Sequence, residues 1–223
     1  MTKRQMLLGF AAMSLSFASV MTARANMFSE AQYQVGTATI NIPSWGSAFG
    51  TANITFNSIP DTVFAGLFQI SPPQQSASYA ACVDLQNFIS FGNNNNYTYQ
   101  VWYAYGRAGA LAALFNTINL NNADEAVGFQ LALWELVYDS YNNPLNDNLF
   151  AGNFIVNSSN PPGAISQAQS FLSQAQGAAP YFYLRAEGEH QDLILVPYVP
   201  EPASLLALGV GVAGVALRRR RRA

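Results

Sequence analysis

The run from Ala123 to about Tyr138 constrains the fold most, because its apolar residues surround nearly the whole circumference of a helix. Asn122, followed three positions later by Glu125, has the pattern of a capped helix start. We therefore expect a helix that is buried on nearly every side. Its apolar members are Val127, Phe129, Leu131, Leu133, Trp134, Leu136 and Val137.

A polar residue, Gln130, stands in the middle of this apolar run, with Trp134 one turn away on the same face. A buried amide without partners costs roughly 1 to 3 kcal/mol, so Gln130 needs a partner. One possible partner is a strand edge that hydrogen-bonds to the amide. The other is the thiol of the chain's single cysteine, Cys82. Condensation of that thiol with the Gln130 amide would release ammonia and leave an internal thioester.

The segments Cys82-Val-Asp84 and Phe129-Gln-Leu-Ala-Leu-Trp134 resemble the two motifs of the thioester domains of Gram-positive surface adhesins. Those motifs are an aromatic-Cys segment and a Thr-Gln-x-Ala-aliphatic-Trp helix. The resemblance implies that Cys82 is the thiol, that Gln130 is the acyl donor, and that an amine attacks the bond. It also implies supporting roles for the motif positions Ala132, Leu133 and Trp134.

Two positions depart from the motifs of that family. Phe129 stands where the family favours Thr, which removes a hydroxyl that would polarise the bond. Ala81 stands where it favours an aromatic residue, and Tyr79 is only nearby. These departures leave open a thioester fold that has lost its reactivity. A free buried thiol beside a satisfied Gln130 amide, and an intermolecular disulfide through Cys82, also remain open.

Other residues are expected to support the proposed bond. Asp84 and Glu135 are the nearest carboxylates in sequence and are candidates to shuttle a proton during attack. Aromatic residues are expected to exclude water from the bond, and the candidates are Tyr97, Tyr99, Trp102, Tyr103 and Trp134. Each molecule would react once, so the chain is not expected to be an enzyme. Hydrolase activity is poorly supported because no positioned base is visible.

The two ends of the chain carry patterns that are typical of targeting signals. Lys3 and Arg4, an apolar stretch over residues 6–20, and Ala23-Arg24-Ala25 have the three-part pattern of an export signal over residues 1–25. Residues 199–223 resemble the PEP-CTERM sorting signal of Gram-negative bacteria that make extracellular polysaccharide. The residues that carry the resemblance are Pro200, Glu201 and Pro202, then an apolar stretch, and then Arg218, Arg219, Arg220, Arg221 and Arg222.

The resemblance of the tail implies a partner, an exosortase-type sorting protease that recognises the Pro-Glu-Pro segment. The apolar stretch over residues 203–217 would insert into the membrane transiently, with the arginines on the cytoplasmic side. An ordinary C-terminal anchor is the alternative. The protein is thus expected at the cell surface or outside a Gram-negative bacterium.

The region between the two expected targeting signals, residues 26–198, is acidic. It holds eleven acidic residues and two basic ones, a net charge of minus nine, whereas the whole chain carries minus two. Such a domain repels phosphate backbones, so nucleic acid is not an expected partner. The region contains no lysine, so a thioester could not be consumed by the domain's own side-chain amines.

The pattern of residues 26–198 predicts a single α+β domain with a β-rich portion and a helical portion that carries Gln130. Predicted strands cover residues 34–42, 52–56, 64–70, 97–105, 181–187 and 193–198, with the last two as a hairpin. Predicted helices cover residues 106–118, 123–138 and 164–176. Glu187, Glu189 and Asp192 lie around the hairpin turn beside His190 and could bind a cation, although a solvated acidic turn is favoured. No metal or cofactor is predicted.

Two functional hypotheses follow. In the first, an exported protein attaches covalently, through the Cys82–Gln130 thioester, to an amine-bearing surface ligand or to a hydroxyl of extracellular polysaccharide. In the second, the same sorting tail delivers an unreactive structural protein of the extracellular matrix.

Overall fold

The computed structural model describes residues 30–74, 77–85, 87, 89–92, 95–139, 146–188 and 190–196. The expected export signal and the whole sorting tail lie outside these residues. The seven strands are β1 (Ala31–Phe56), β2 (Ile59–Gln74), β3 (Ala77–Cys82), β4 (Asn96–Gly106), β5 (Phe154–Asn160), β6 (Ala179–Ala186) and β7 (Leu193–Val196). The helices are α1 (Arg107–Ala113), a 3-10 turn (Leu114–Thr117), α2 (Ala123–Tyr138) and α3 (Ala164–Gln174).

The strands form one antiparallel sheet in which the pairings close on themselves. Going round the sheet, β1 pairs with β2, β2 with β3, β3 with β7, β7 with β6, β6 with β4, and β4 with β1 again. The last part of β1 also pairs with β5, which extends the sheet on that side. A two-residue turn joins β1 to β2, and positive φ angles at Asn57 and Ser58 suit the twist of such a hairpin.

The predicted α+β class is wrong, because the protein is mostly β. Residues 34–42 and 52–56, predicted as two separate strands, are parts of the single long strand β1. The chain between them does not turn back; it continues through two register shifts in the pairing with β2. Strand β2 also continues through Pro72 and Pro73, which lie at an irregularity in its pairing with β3 where prolines are tolerated.

Two strands, β3 and β5, were not among the predictions. The sequence of β3 is rich in alanine, and β5 ends in Asn-Ser-Ser-Asn, so neither has the composition of a typical strand. Both form because long neighbouring strands offer them backbone partners. The predicted β6–β7 hairpin is confirmed by the pairs Tyr183–Ile194 and Leu184–Leu193.

Helix α2 has the predicted bounds, and every residue from 126 to 137 is buried. The Asn122 side chain accepts a hydrogen bond from the backbone N–H of Asp124 at 3.0 Å, which confirms the predicted cap. The predicted first helix is shorter than expected, because its second half tightens into the 3-10 turn. The helices pack beside the sheet, with α2 against β1, β2 and α3. No helix in the described part of the chain has the length and apolar character needed to cross a membrane.

Candidate functional site

Cys82 is the last residue of β3, a strand that lies between β2 and β7. Its backbone is in register with Leu193 of β7. Gln130 lies in the middle of α2, which packs over this part of the sheet. Both side chains are buried, with 2% of Cys82 and 1% of Gln130 exposed. Two residues that are 48 positions apart in sequence are therefore neighbours in the protein interior.

The Gln130 amide is held on both sides by the backbone of Cys82. The Cys82 N–H donates to Gln130 Oε1 at 3.0 Å, and Gln130 Nε2 donates to the Cys82 carbonyl at 2.7 Å. The helix side chain thus takes the place of a neighbouring strand at the end of β3. The sequence offered a strand edge and the cysteine as alternative partners for Gln130. The structure brings the two together, because the strand edge that binds the amide is the backbone of Cys82.

The Cys82 thiol has an acceptor of its own. Sγ donates to the Asp84 carbonyl at 2.8 Å, and Gln191 Nε2 donates to the same carbonyl at 3.1 Å. Burial, reinforced by the negative charge of Asp84, raises the pKa of the Cys82 thiol well above its ordinary value. The buried Nε1 of the Trp134 indole has no hydrogen-bond acceptor within the described residues, so it does not offset these effects. The thiol is therefore neutral in this arrangement.

The Asp84 carboxylate is fixed at the site. Its Oδ2 accepts hydrogen bonds from the Asp192 N–H and from Asn87 Nδ2, both at 3.0 Å. Asp84 is itself only 2% exposed and lines the cavity described below. A carboxylate at this position could accept a proton from a nucleophile that reaches Gln130.

Glu135, the other candidate carboxylate, does not reach the site. Its Oε1 accepts from the Asn148 N–H at 3.0 Å, and the residue does not line the cavity beside Cys82. Burial raises the pKa of Glu135 to about 8. Ala132 and Leu133, the other predicted supporting residues, are fully buried in the core and contribute packing.

The acidic turn does not form a cation site in the described part of the chain. Asp192 is fully buried, where it accepts from the Ala186 N–H at 2.8 Å and from the Tyr183 hydroxyl. Glu189 lies outside the described residues. His190 packs its ring against Tyr97 and Tyr99, at centroid distances of 4.9 and 5.1 Å. Within the described ranges, no three His, Cys, Asp or Glu side chains come together in a way that could hold a metal.

A cavity of about 300 Å³ leads to the Cys82–Gln130 pair. Its wall includes both residues, together with Asp84 and Trp134. Four further aromatic side chains line it, and these are Trp45, Phe64, Phe68 and Phe91. The Trp45 ring lies 4.6 Å from that of Phe68 and 5.1 Å from that of Phe91, measured between centroids.

The sequence did not point to these aromatic residues. It favoured Tyr97, Tyr99, Trp102 and Tyr103 as cover for the bond, and none of them lines the cavity. Trp45 and Phe68 lie opposite each other in the β1–β2 pairing, and Phe68 lies opposite Ala80 of β3. The register of these three strands brings Trp45 and Phe68 to the cysteine. Aromatic residues are about as frequent in β1 and β2 as in the whole chain, so composition gave no signal for these positions.

Comparison with known proteins identifies the tail of the chain. Residues 199–221 match the family model described as the PEP-CTERM protein-sorting motif. The match includes Pro200, Glu201 and Pro202, together with the arginines up to Arg221. The motif implies an exported protein of the cell envelope that an exosortase sorts.

The other two comparisons found nothing similar to this chain. No curated protein matches it, and neither does any solved structure. The resemblance to thioester domains therefore gains no support from the comparisons.

Proposed function

We propose that this exported protein attaches covalently to an amine- or hydroxyl-bearing partner outside the cell, through an internal thioester between Cys82 and Gln130. The observation that carries the proposal is the pair of hydrogen bonds, at 3.0 and 2.7 Å, that holds the Gln130 amide against Cys82 beside an open cavity. The candidate partners are an amine-bearing surface ligand and extracellular polysaccharide.

The hydrogen bond from the Cys82 N–H to Gln130 Oε1 supports the chemistry of bond formation. Attack of Sγ on the amide carbon places negative charge on Oε1, and a backbone donor aimed at that oxygen stabilises the charge. The new bond joins Sγ to the amide carbon, and the bond from that carbon to Nε2 breaks. The thiol proton leaves with the departing nitrogen, which becomes ammonia.

In the capture step, sulfur would be the leaving group, and the nucleophile would belong to the partner. The amine or hydroxyl of the partner attacks the acyl carbon of Gln130, and the bond from that carbon to Sγ breaks. The proton of the nucleophile returns to Cys82 as a thiol, with Asp84 as the nearby carboxylate that can transfer it. No oxidant, reductant or metal is needed, and the partner ends as an amide or ester of residue 130.

Two properties of the protein favour a thioester that persists until a partner reaches it. The raised pKa of Cys82 makes its thiolate a poor leaving group, so an acyl thioester here would react slowly. The absence of lysine between residues 26 and 198 removes side-chain amines that would otherwise consume it.

The test is the intact mass of the full chain before and after incubation with methylamine. We expect wild type to be lighter than its sequence mass by one ammonia and to gain one methylamine on treatment. The Cys82→Ala and Gln130→Met variants should show neither change. A wild-type mass that equals the sequence mass, with a thiol that titrates on unfolding, would end the proposal.

A second function is supported by the hydrogen bond of the Cys82 thiol itself, because with it both groups are satisfied without a covalent bond. The amide pairs with the Cys82 backbone, and Sγ donates to the Asp84 carbonyl. Under this alternative the protein is an unreactive structural component of the extracellular polysaccharide matrix, and Gln130 serves only to close the end of β3. If the Cys82→Ala variant bound the matrix as well as wild type, this alternative would be favoured.

A further inference from the structure

Trp45 lies at the centre of a cluster of aromatic rings at the cavity that leads to Cys82. Its ring is stacked on Phe49 at 5.5 Å between centroids and lies 6.3 Å from Phe64. Phe68 is 2% exposed and forms the floor of the cluster, whereas Phe64 is 60% exposed. Phe91, from the loop after β3, closes another side of the cluster at 5.7 Å from Phe68. Rings from two strands and a loop thus converge on one space.

The charged residues described in the cavity wall are all acidic. Of the described residues that line it, Asp61 and Asp84 are carboxylates and none is basic. Thr62 and Gln191 add neutral polar groups, and Gln191 already donates to the Asp84 carbonyl. The wall is therefore mainly apolar, with negative charge that complements a cationic group.

The size and chemistry of the cavity favour a slender apolar group as its occupant. A volume of about 300 Å³ suits a small ligand or a single side chain rather than a protein domain. A sugar ring carries hydroxyls around its rim. The carboxyl, hydroxyl and amide side chains of the wall already have hydrogen-bond partners in the protein, so burying a sugar would leave hydroxyls unsatisfied. A chain of methylenes has no such groups to satisfy.

We infer that Trp45, Phe64, Phe68 and Phe91 form a specificity subsite that binds an unbranched apolar stem and thereby selects which acyl acceptor reaches Gln130. The inference rests on the proposed function for its chemical purpose. The stem lies against the aromatic rings, and the nucleophilic nitrogen at its end faces the acyl carbon. The covalent step is the transfer written above, with Cys82 as leaving group and the proton of the acceptor returning to its sulfur.

Chain length is the variable that tests the subsite. Each methylene that leaves water for the cavity should improve binding by about fourfold. We therefore expect the rate of adduct formation with wild type to rise by about that factor per methylene from methylamine to pentylamine. The readout is the intact mass of the full chain over time, and the compared quantity is the ratio of the pentylamine and methylamine rates.

A matched pair of variants locates the effect. Phe64→Ala removes a ring of the subsite, and Ile59→Ala removes a side chain that is equally exposed, at 60%, on the same strand but not in the cavity wall. We expect Phe64→Ala to lower the pentylamine to methylamine ratio several-fold and Ile59→Ala to leave it unchanged. A ratio near one in wild type, or an equal loss in both variants, would overturn the inference.

A binding measurement separates this inference from the proposed function. Cys82→Ala cannot form the thioester, so calorimetric titration of this variant with pentylamine and with methylamine reports on the subsite alone. Tighter binding of pentylamine supports the subsite even if wild type forms no methylamine adduct, in which case only the proposed function fails. Equal binding of both amines overturns the subsite, even if wild type forms the methylamine adduct.

Discussion

Gln130 is a polar side chain in a helix whose other central residues are mostly apolar, and its amide pairs with a backbone rather than with another side chain. One hydrogen bond satisfies the Cys82 N–H and the other satisfies the Cys82 carbonyl. Both groups lie in the interior, where an unpaired donor or acceptor costs about 1 to 3 kcal/mol. The same two bonds that stabilise the fold also hold the amide in place beside the cavity.

This double role leads to a prediction for Gln130→Met, measured in the Cys82→Ala background so that no thioester contributes. Methionine has a similar volume but cannot pair with the backbone of residue 82, so the free energy of unfolding should fall by about 2 to 4 kcal/mol. Urea denaturation measures it. The matched control is Gln169→Met on the exposed face of α3, which should change stability by less than about 0.5 kcal/mol. Equal effects at the two positions would show that the buried pairing contributes little.

At the residue scale, the sequence predicted the meeting of Cys82 and Gln130 but not the walls of their cavity. The buried glutamine needed a partner, and the resemblance to the thioester motifs implied that Cys82 supplied it. Trp45 and Phe64 carry no such requirement, and aromatic residues are common in many strands. Their place beside the cysteine depends on strand register, which is set by contacts across the whole sheet.

At the scale of elements, α2 was predictable and β3 was not, for one physical reason. The helix is specified by its own apolar pattern over sixteen residues and by its own cap, Asn122, directly before them. Strand β3 is specified by its neighbours β2 and β7, and although β2 directly precedes it, β7 comes from a distant part of the chain. A short alanine-rich segment becomes a strand here because two backbone edges are available to it.

The packing of α2 on α3 depends on Gly128. A Cβ built at this position would lie 2.6 Å from Gln167 Cβ and 2.8 Å from the Ala164 carbonyl oxygen. Gly128→Ala should gain about 1 kcal/mol in helix propensity. The clash should cost more, because the carbonyl belongs to a helix backbone that cannot rotate away. We expect a net loss of about 1 to 2 kcal/mol in the free energy of unfolding, measured by urea denaturation.

Gly177→Ala is the control for this prediction, since no heavy atom lies within 4 Å of a Cβ at that position. This variant should be as stable as wild type or slightly more stable. If Gly128→Ala were equally stable, the contact between α2 and α3 would have to be looser than the distances indicate.

On the scale of the whole molecule, the expected division into a β portion and a helical portion was wrong because it was built from short segments. Local patterns identified pieces of β1 but could not show that they belong to one strand of 26 residues. The pairings then close into a ring, and the helices pack against it instead of forming a portion of their own. Closure of the ring is a property of all six strands together, and no single segment encodes it.

The whole molecule should lose stability as pH rises from about 5 to about 8. Burial raises the pKa of Glu30 to about 7 and that of Glu135 to about 8, from an ordinary value of 4.5. The folded protein therefore binds more protons than the unfolded chain in this window, and the stabilisation is lost as pH rises through the folded pKa values. Each group contributes a slope of at most about 1.4 kcal/mol per pH unit.

Glu135→Gln should make this pH dependence shallower, because it removes one of the two groups that titrate. Urea denaturation at several pH values measures the slope. Glu187→Gln removes the same charge from an exposed position and should leave the slope close to that of wild type. A wild-type stability that increases over this window would contradict the assignment of both raised pKa values.

The separation of 48 residues between Cys82 and Gln130 gives the proposed reaction a thermal signature. A thioester between them would close a loop that contains β4 and α1, and a cross-link over a loop of that length stabilises a fold by about 4 kcal/mol. Capture of a partner cuts this cross-link. A molecule that still holds the thioester should then melt on the order of 10 °C above one that has captured a partner. A sample taken from the cell surface would contain two melting populations, and their proportions would record how many molecules had already reacted.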